Sequence, residues 1–162
     1  MIQITDNYLP QKEFEVIQRI LLGSGFAWHY NDRVVMPDGD EPYFQFTHTM
    51  VRADINEIKP SVQIVKPLAY KINPEKIVRI KCNLLTRHET TVTFPFHIDI
   101  EDFEGTTAIY YINTNNGVTK FEDGTVVESV ANRLVTFPSK TKHTGTTCTD
   151  EKVRVVVNLN YV

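Results

Sequence analysis

His97-Ile98-Asp99, with His143 and Arg154 further along, is the part of this sequence whose residue types could do chemistry together. In an extended segment, residues i and i+2 point to the same side, so the His97 imidazole and the Asp99 carboxylate can project as a pair. A second imidazole from His143 would complete a facial triad, three ligands on one face of an octahedral metal with three positions open. Iron(II) needs that openness to take an organic co-substrate and dioxygen side by side, whereas a closed four-ligand structural site would block both. Arg154 lies in an alternating run, KVRVVVNLNYV, that would carry its guanidinium back toward a core. A buried arginine needs an anionic partner, and a dicarboxylate would supply one through a bidentate pair.

A bare His-x-Asp is a weak signal, so the surroundings matter. FPFHIDIEDFEG places the pair where a strand-like run gives way to an acidic, glycine-containing loop, and His143 lies in FPSKTKHTG after a second strand-like run, RLVTF. The loop acids Glu101, Asp102 and Glu104 read as a solvated rim that would also favour a basic substrate segment. No nucleophile with an adjacent base is evident, so no catalytic side chain is expected beyond the metal ligands. His29, His48 and His88 are read as surface or core-edge residues and not as ligands.

The elements that must position these residues divide the chain in two. Residues 1–75 hold the helical signals. Over 10–22, Pro10 suits a first turn, Phe14, Ile17 and Leu21 recur on one face, and Gly23 offers a stop. Over 60–72, Val62, Val65, Leu68 and Ile72 share a face, with a kink or break expected at Pro67. Between them, an aromatic-rich stretch with Trp28, Tyr30, Tyr43, Phe44 and Phe46 reads as short strands joined by a polar turn, PDGDEP. Such a cluster either anchors an N-terminal extension to a sheet or lines a substrate entrance. From residue 76 the period becomes 2, in KIVRIKCNLL, TTVTFPFHID, TTAIYYIN, VTKFEDGT, RLVTFP and KVRVVVNLNYV, separated by Asn, Gly, Asp and Pro. Tyr110 and Tyr111 alternate, so only one of them is expected to face the interior. The expected fold is mostly β, an α+β arrangement of an antiparallel double sheet with N-terminal helices packed on one sheet, the jelly roll being one such form.

The whole chain, 1–162, is read as one domain, with 1–75 supporting a core formed by 76–162. Hydrophobic residues make up 41% and charged residues 23%, which argues against a disordered, collagen-like or coiled-coil chain. A net charge of −3 draws the protein neither to nucleic acid nor to a membrane surface. MIQITDNYLP is not a signal peptide, no apolar run spans a bilayer, and Cys82 and Cys148 match no zinc spacing. A cytoplasmic protein with free thiols is expected, in the host cytoplasm if the source is viral.

The pattern H-x-D…H…R over residues 76–162, with AIYYIN between the aspartate and the second histidine, resembles the 2-oxoglutarate/Fe(II)-dependent dioxygenases of double-stranded β-helix fold. The likeness is to the prolyl-hydroxylase-like branch and to small phage-type members, which NYLP, FAWHYND and FQFTHTM also resemble. The resemblance implies iron ligation by His97, Asp99 and His143, with Arg154 binding the distal carboxylate of 2-oxoglutarate and Tyr111 assisting it. Lys152, on the same strand face, is the second candidate for that carboxylate; the fork of Arg154 suits it better. Asn83 on KCNLL would touch co-substrate or substrate, or else make a core hydrogen bond. Val156 stands where many members carry serine or threonine. The implied activity is hydroxylation of an unactivated C–H bond in a prolyl or other protein residue, or in a small molecule. Dioxygen and 2-oxoglutarate would be consumed, succinate and CO2 released, and ascorbate would act as a stimulant. The competing readings are a cupin-like jelly roll that binds metal or ligand without oxygenase activity, and a structural protein with an accidental His-x-Asp.

Overall fold

The computed structural model describes residues 1–35 and 42–162. Its elements in order are β1 (Gln3–Thr5), α1 (Gln11–Leu21), β2 (His29–Asn31), β3 (Gln45–Arg52), β4 (Glu57–Ile58), α2 (Lys66–Ile72), β5 (Ile77–Thr86), β6 (Thr106–Tyr111), β7 (Asn115–Phe121), β8 (Val126–Ser129), β9 (Leu134–Pro138), β10 (His143–Gly145) and β11 (Val153–Tyr161). The large sheet runs β1-β9-β6-β11-β5-β3-β2, with β4 added to β3, and a smaller sheet runs β10-β7-β8. Every pairing is antiparallel. This is the mostly β jelly-roll architecture expected, with the helices on one face of the large sheet.

Two apolar layers hold it together. On the outer face of the large sheet, Phe14, Ile17 and Leu21 of α1 and Leu68 of α2 pack with Ile80, Cys82, Tyr110, Val155, Val157 and Leu159. Between the sheets, Ile109, Tyr111 and Val156 meet Phe121, Val127, Val135 and Phe137. The expectation that only one of Tyr110 and Tyr111 faces an interior fails: both are fully buried, one in each layer, because the large sheet is covered on both faces. The expected 60–72 helix is a 3-10 turn over Pro60–Val65 followed by α2. Its break falls just before Pro67, which occupies the first turn of α2, where a missing N–H is harmless. No helix among the described residues is long and apolar enough to cross a membrane.

One expectation fails in part. The segment 90–99 forms no strand, only isolated bridges from Thr93 to Thr146 and from His97 to His143. Pro95 interrupts it and has no N–H to give a ladder. Four short strands, β1, β4, β8 and β10, are present where no separate strand was expected. Most of the turn PDGDEP lies outside the described residues.

Candidate functional site

His97 and His143 are directly paired. Each backbone N–H donates to the carbonyl of the other at 3.0 Å, and the two rings lie with centroids 4.8 Å apart. This exchange, rather than a continuous strand, sets His97 and Asp99 against β10. Each Nδ1 faces the carbonyl two residues earlier, Pro95 at 3.3 Å and Thr141 at 3.2 Å. A carbonyl only accepts, so each Nδ1 carries a proton, and in the neutral ring the lone pair is left on Nε2. Both Nε2 atoms stand 3.9 Å from Asp99 Oδ1, and the three ligating atoms lie within 4.8 Å of one another.

The second oxygen of Asp99 is occupied. Arg79 Nη2 forms an ion pair with Oδ2 at 3.0 Å and Asn160 Nδ2 donates to it at 3.1 Å, while Arg79 Nε donates to Asn160 Oδ1 at 3.0 Å. Oδ1 is therefore the oxygen turned toward the imidazoles. Burial pushes the Asp99 carboxyl up, but Arg79, His143, the Asn160 hydrogen bond and His97 together outweigh it and hold it below the ordinary carboxylate value. Burial also lowers the pKa of His143, against the pull of Asp99, which favours the neutral imidazole a metal requires. Two imidazole Nε2 atoms and an ionised carboxylate oxygen, converging on one point at the wall of an open cavity, fit an octahedral ion with free positions.

That cavity, about 410 Å³, lies between the sheets and is lined by His97, Asp99 and His143 at one place and Arg154 at another. Arg154 is buried. Its Nε donates to Ser129 Oγ at 2.9 Å and its Nη2 to Thr119 Oγ1 at 3.0 Å. Gly117 makes room for it, since a Cβ there would lie 2.7 Å from Arg154 Cδ. Among the described residues no carboxylate pairs with Arg154, and burial pulls its pKa down. A buried guanidinium held only by hydroxyls can receive an anion. Lys152 is exposed before β11 and does not line the cavity.

Asn83 lines the cavity. Tyr111 is fully buried one layer behind it, its hydroxyl donating to Thr119 Oγ1 at 2.8 Å. Thr119 thus accepts from both Tyr111 and Arg154, and its own proton is free to point into the cavity it lines. None of Trp28, Tyr30, Tyr43, Phe44 and Phe46 is in the described lining, which the neighbouring Val34, Val35 and Gln45 join instead. His48 is held by the Ala27 carbonyl at 2.7 Å and Ser61 Oγ at 2.8 Å, a fastening of the N-terminal half rather than a ligand. Sequence reasoning missed Arg79, Lys81, Thr119, Ser129, Asn158 and Asn160. The signal for several was the polar alternation R-x-K-x-N in β5 and N-x-N in β11.

No family model matches the chain, and no curated protein matches it. Solved structures do. A prolyl hydroxylase from Trichoplax adhaerens, in complex with a hypoxia inducible factor oxygen degradation domain peptide fragment, is 15% identical with a TM-score of 0.68, over 99% of this chain and 82% of that one. The non-heme α-ketoglutarate-dependent epimerase SnoN from nogalamycin biosynthesis is 12% identical with a TM-score of 0.68, over 99% and 77%. The viral collagen prolyl hydroxylase of Paramecium Bursaria Chlorella virus-1 is 11% identical with a TM-score of 0.60, over 99% and 90%. What the chain shares with them at such identities is the fold, the jelly roll of the 2-oxoglutarate/Fe(II) oxygenases.

Proposed function

We propose that this protein is an iron(II)- and 2-oxoglutarate-dependent oxygenase that hydroxylates an unactivated C–H bond, with His97, Asp99 and His143 as metal ligands and Arg154 as receptor for the distal carboxylate. One observation carries the reading. A convergent two-histidine, one-carboxylate set and a buried arginine without an acidic partner among the described residues line the same cavity. When bound, iron and 2-oxoglutarate supply the oxidising chemistry, in which dioxygen is consumed, the oxo-acid becomes succinate and CO2, and one oxygen atom enters the substrate.

The chain's own residues do the placing. Arg79 and Asn160 hold Asp99 so that one oxygen faces the ligand point. The Pro95 and Thr141 carbonyls fix the imidazole tautomers. Arg154 and the Thr119 proton receive the distal carboxylate, and Tyr111 acts through Thr119 by filling one of its acceptor positions. Asn83, further along the same wall, contacts co-substrate or substrate. Burial of Arg154 strengthens that pairing, since little water competes for it.

A prolyl or other protein residue is the first substrate class to test. Two of the similar structures bear prolyl-hydroxylase names and one was solved with a peptide fragment, while SnoN supports a small molecule as the alternative. The test is succinate formation from 2-oxoglutarate, with iron and ascorbate, followed by mass spectrometry. Arg154→Met should weaken 2-oxoglutarate binding by about 2 to 5 kcal/mol, the scale for truncating one side of a buried charged pair, while metal affinity survives. Iron-loaded, folded protein that neither binds nor turns over 2-oxoglutarate would sink this reading in favour of a metal-binding jelly roll without oxygenase activity.

A further inference from the structure

The cavity wall holds a cation that the proposed chemistry does not use. On β5, Arg79, Lys81 and Asn83 alternate toward the cavity, and on β11 Arg154, Val156 and Asn158 do the same. Arg79 is committed to Asp99 and Asn160. Arg154 is committed, on the reading above, to the distal carboxylate. Lys81 makes no hydrogen bond or ion pair among the described residues, although it is half-buried and burial works against its charge. Asn158 is its directly opposite partner across the β5–β11 ladder; its side chain lines the cavity and its Oδ1, sealed as it stands, finds no donor among the described residues, so a half-turn of the amide presents that oxygen to the cavity. Opposite residues in an antiparallel pair have Cβ atoms about 5 Å apart, so one small ligand can reach both.

An unpaired ammonium beside an unpaired amide oxygen asks for an anion with a hydrogen-bond donor on an adjacent atom. A phosphate would call for more donors than one free lysine and one amide provide. Charge points the same way. With iron, Arg79, Lys81 and Arg154 set against Asp99 and the two carboxylates of 2-oxoglutarate, the enclosed part of the cavity stays positive; Glu101, at its mouth, is exposed. We propose that the substrate presents a carboxylate to Lys81 and an adjacent N–H or O–H to Asn158 Oδ1, as an N-acylated amino acid, a hydroxy acid or a peptide C-terminus would. This rests on the oxygenase reading and narrows it, because the interior of a peptide chain offers no such end group.

The experiment uses the full chain loaded with zinc in place of iron and saturated with 2-oxoglutarate, with nitrogen-15 in the lysine side chains. The Lys81 ammonium resonance is assigned by its loss in Lys81→Met. N-acetylglycine should shift it saturably. N-acetylglycinamide, which lacks the charge, should bind about ten-fold more weakly or worse, the scale of one charge-assisted hydrogen bond. Methoxyacetate, which lacks the donor, should fall between them, and Asn158→Ala should erase its disadvantage. Binding of the peptide Ala-Ala-Ala-Gly with the same shift assigns the group to a peptide C-terminus, and binding of N-acetylglycine alone to a free acid.

Equal binding of acid and amide, no shift at Lys81, or unchanged N-acetylglycine affinity in Lys81→Met overturns the proposal while leaving the oxygenase reading intact. A ten-fold loss of 2-oxoglutarate affinity in Lys81→Met also overturns it, by assigning Lys81 to the co-substrate. Failure of the native zinc form to bind 2-oxoglutarate at all removes the reading beneath it. The comparison of acid with amide needs only native protein, so a variant that misfolds does not shield the idea.

Discussion

Strands β5 and β11 present two unlike faces made from the same backbone. Toward the helices they show Ile80, Cys82, Val155, Val157 and Leu159, all sealed from solvent. Toward the smaller sheet they show Arg79, Lys81, Asn83, Arg154, Asn158 and Asn160. The ladder hydrogen bonds are common to both faces, and a shift of one residue separates them. The outer face supplies burial, and burial is what folding gains most from. The inner face gathers buried cations and amides, which lower stability unless they are paired. Stability and chemistry are therefore separable by substitution, although they sit on adjacent residues.

The largest effect should come from His143→Ala. Metal affinity, measured by calorimetry, should fall by more than the about hundred-fold that loss of an outer partner costs a metal site. The apo-protein should lose some stability in urea, because the buried His143 ring packs on Phe137 and Phe121, but less than a helix-side truncation costs. A large drop in apo stability would show that the two faces are not independent. Leu159→Ala is the mirror experiment. It opens a cavity in the helix-side layer and should lower unfolding free energy by about 2 to 5 kcal/mol while leaving metal affinity of the folded fraction unchanged.

Arg79→Met probes the inner face one step back from the ligands. Without Arg79 the buried Asp99 loses the strongest influence holding its carboxyl below the ordinary value, so its pKa rises. Protons then compete with metal for the same oxygen. Metal affinity should fall about ten- to hundred-fold, with a deficit that widens as pH falls and narrows as it rises. A pH-independent deficit would mean that Arg79 acts on geometry alone.

How far the sequence alone reached follows the same division. The helix-side face was legible, because Phe14, Ile17 and Leu21 recur at helical spacing and apolar residues occupy every second position of β11 from Val153 to Leu159. The convergence of His97, Asp99 and His143 was legible too, because few residue types make such a set and two of the three are two residues apart. The strand expected to carry His97 and Asp99 was not real; Pro95 breaks it, and pairing with a three-residue β10 replaces it. Arg79 and Asn160 were invisible as partners of Asp99. They lie 20 and 61 residues away in sequence, and only strand register brings them together. Tyr111 was singled out by resemblance rather than by pattern, and its contact runs through Thr119, which no local pattern marks.

Val156 is where the two kinds of surface meet, and it gives the smallest and sharpest test. It belongs to the apolar layer between the sheets and also lines the cavity, opposite Asn83 on one side and Tyr111 on the other. Val156→Thr keeps the shape and exchanges one methyl for a hydroxyl. Turned toward Phe121 and Phe137, that hydroxyl would lack a partner and cost the apo-protein about 1 kcal/mol. Turned toward the cavity, it would add a donor beside Asn83 and should tighten 2-oxoglutarate by about two- to ten-fold, the worth of one net hydrogen bond. Both effects together, a small loss of stability with a gain in co-substrate affinity, would place the boundary between the faces at this residue. A loss of stability with no gain would mean that the co-substrate stays on the Arg154 and Thr119 side of the cavity and does not reach Val156.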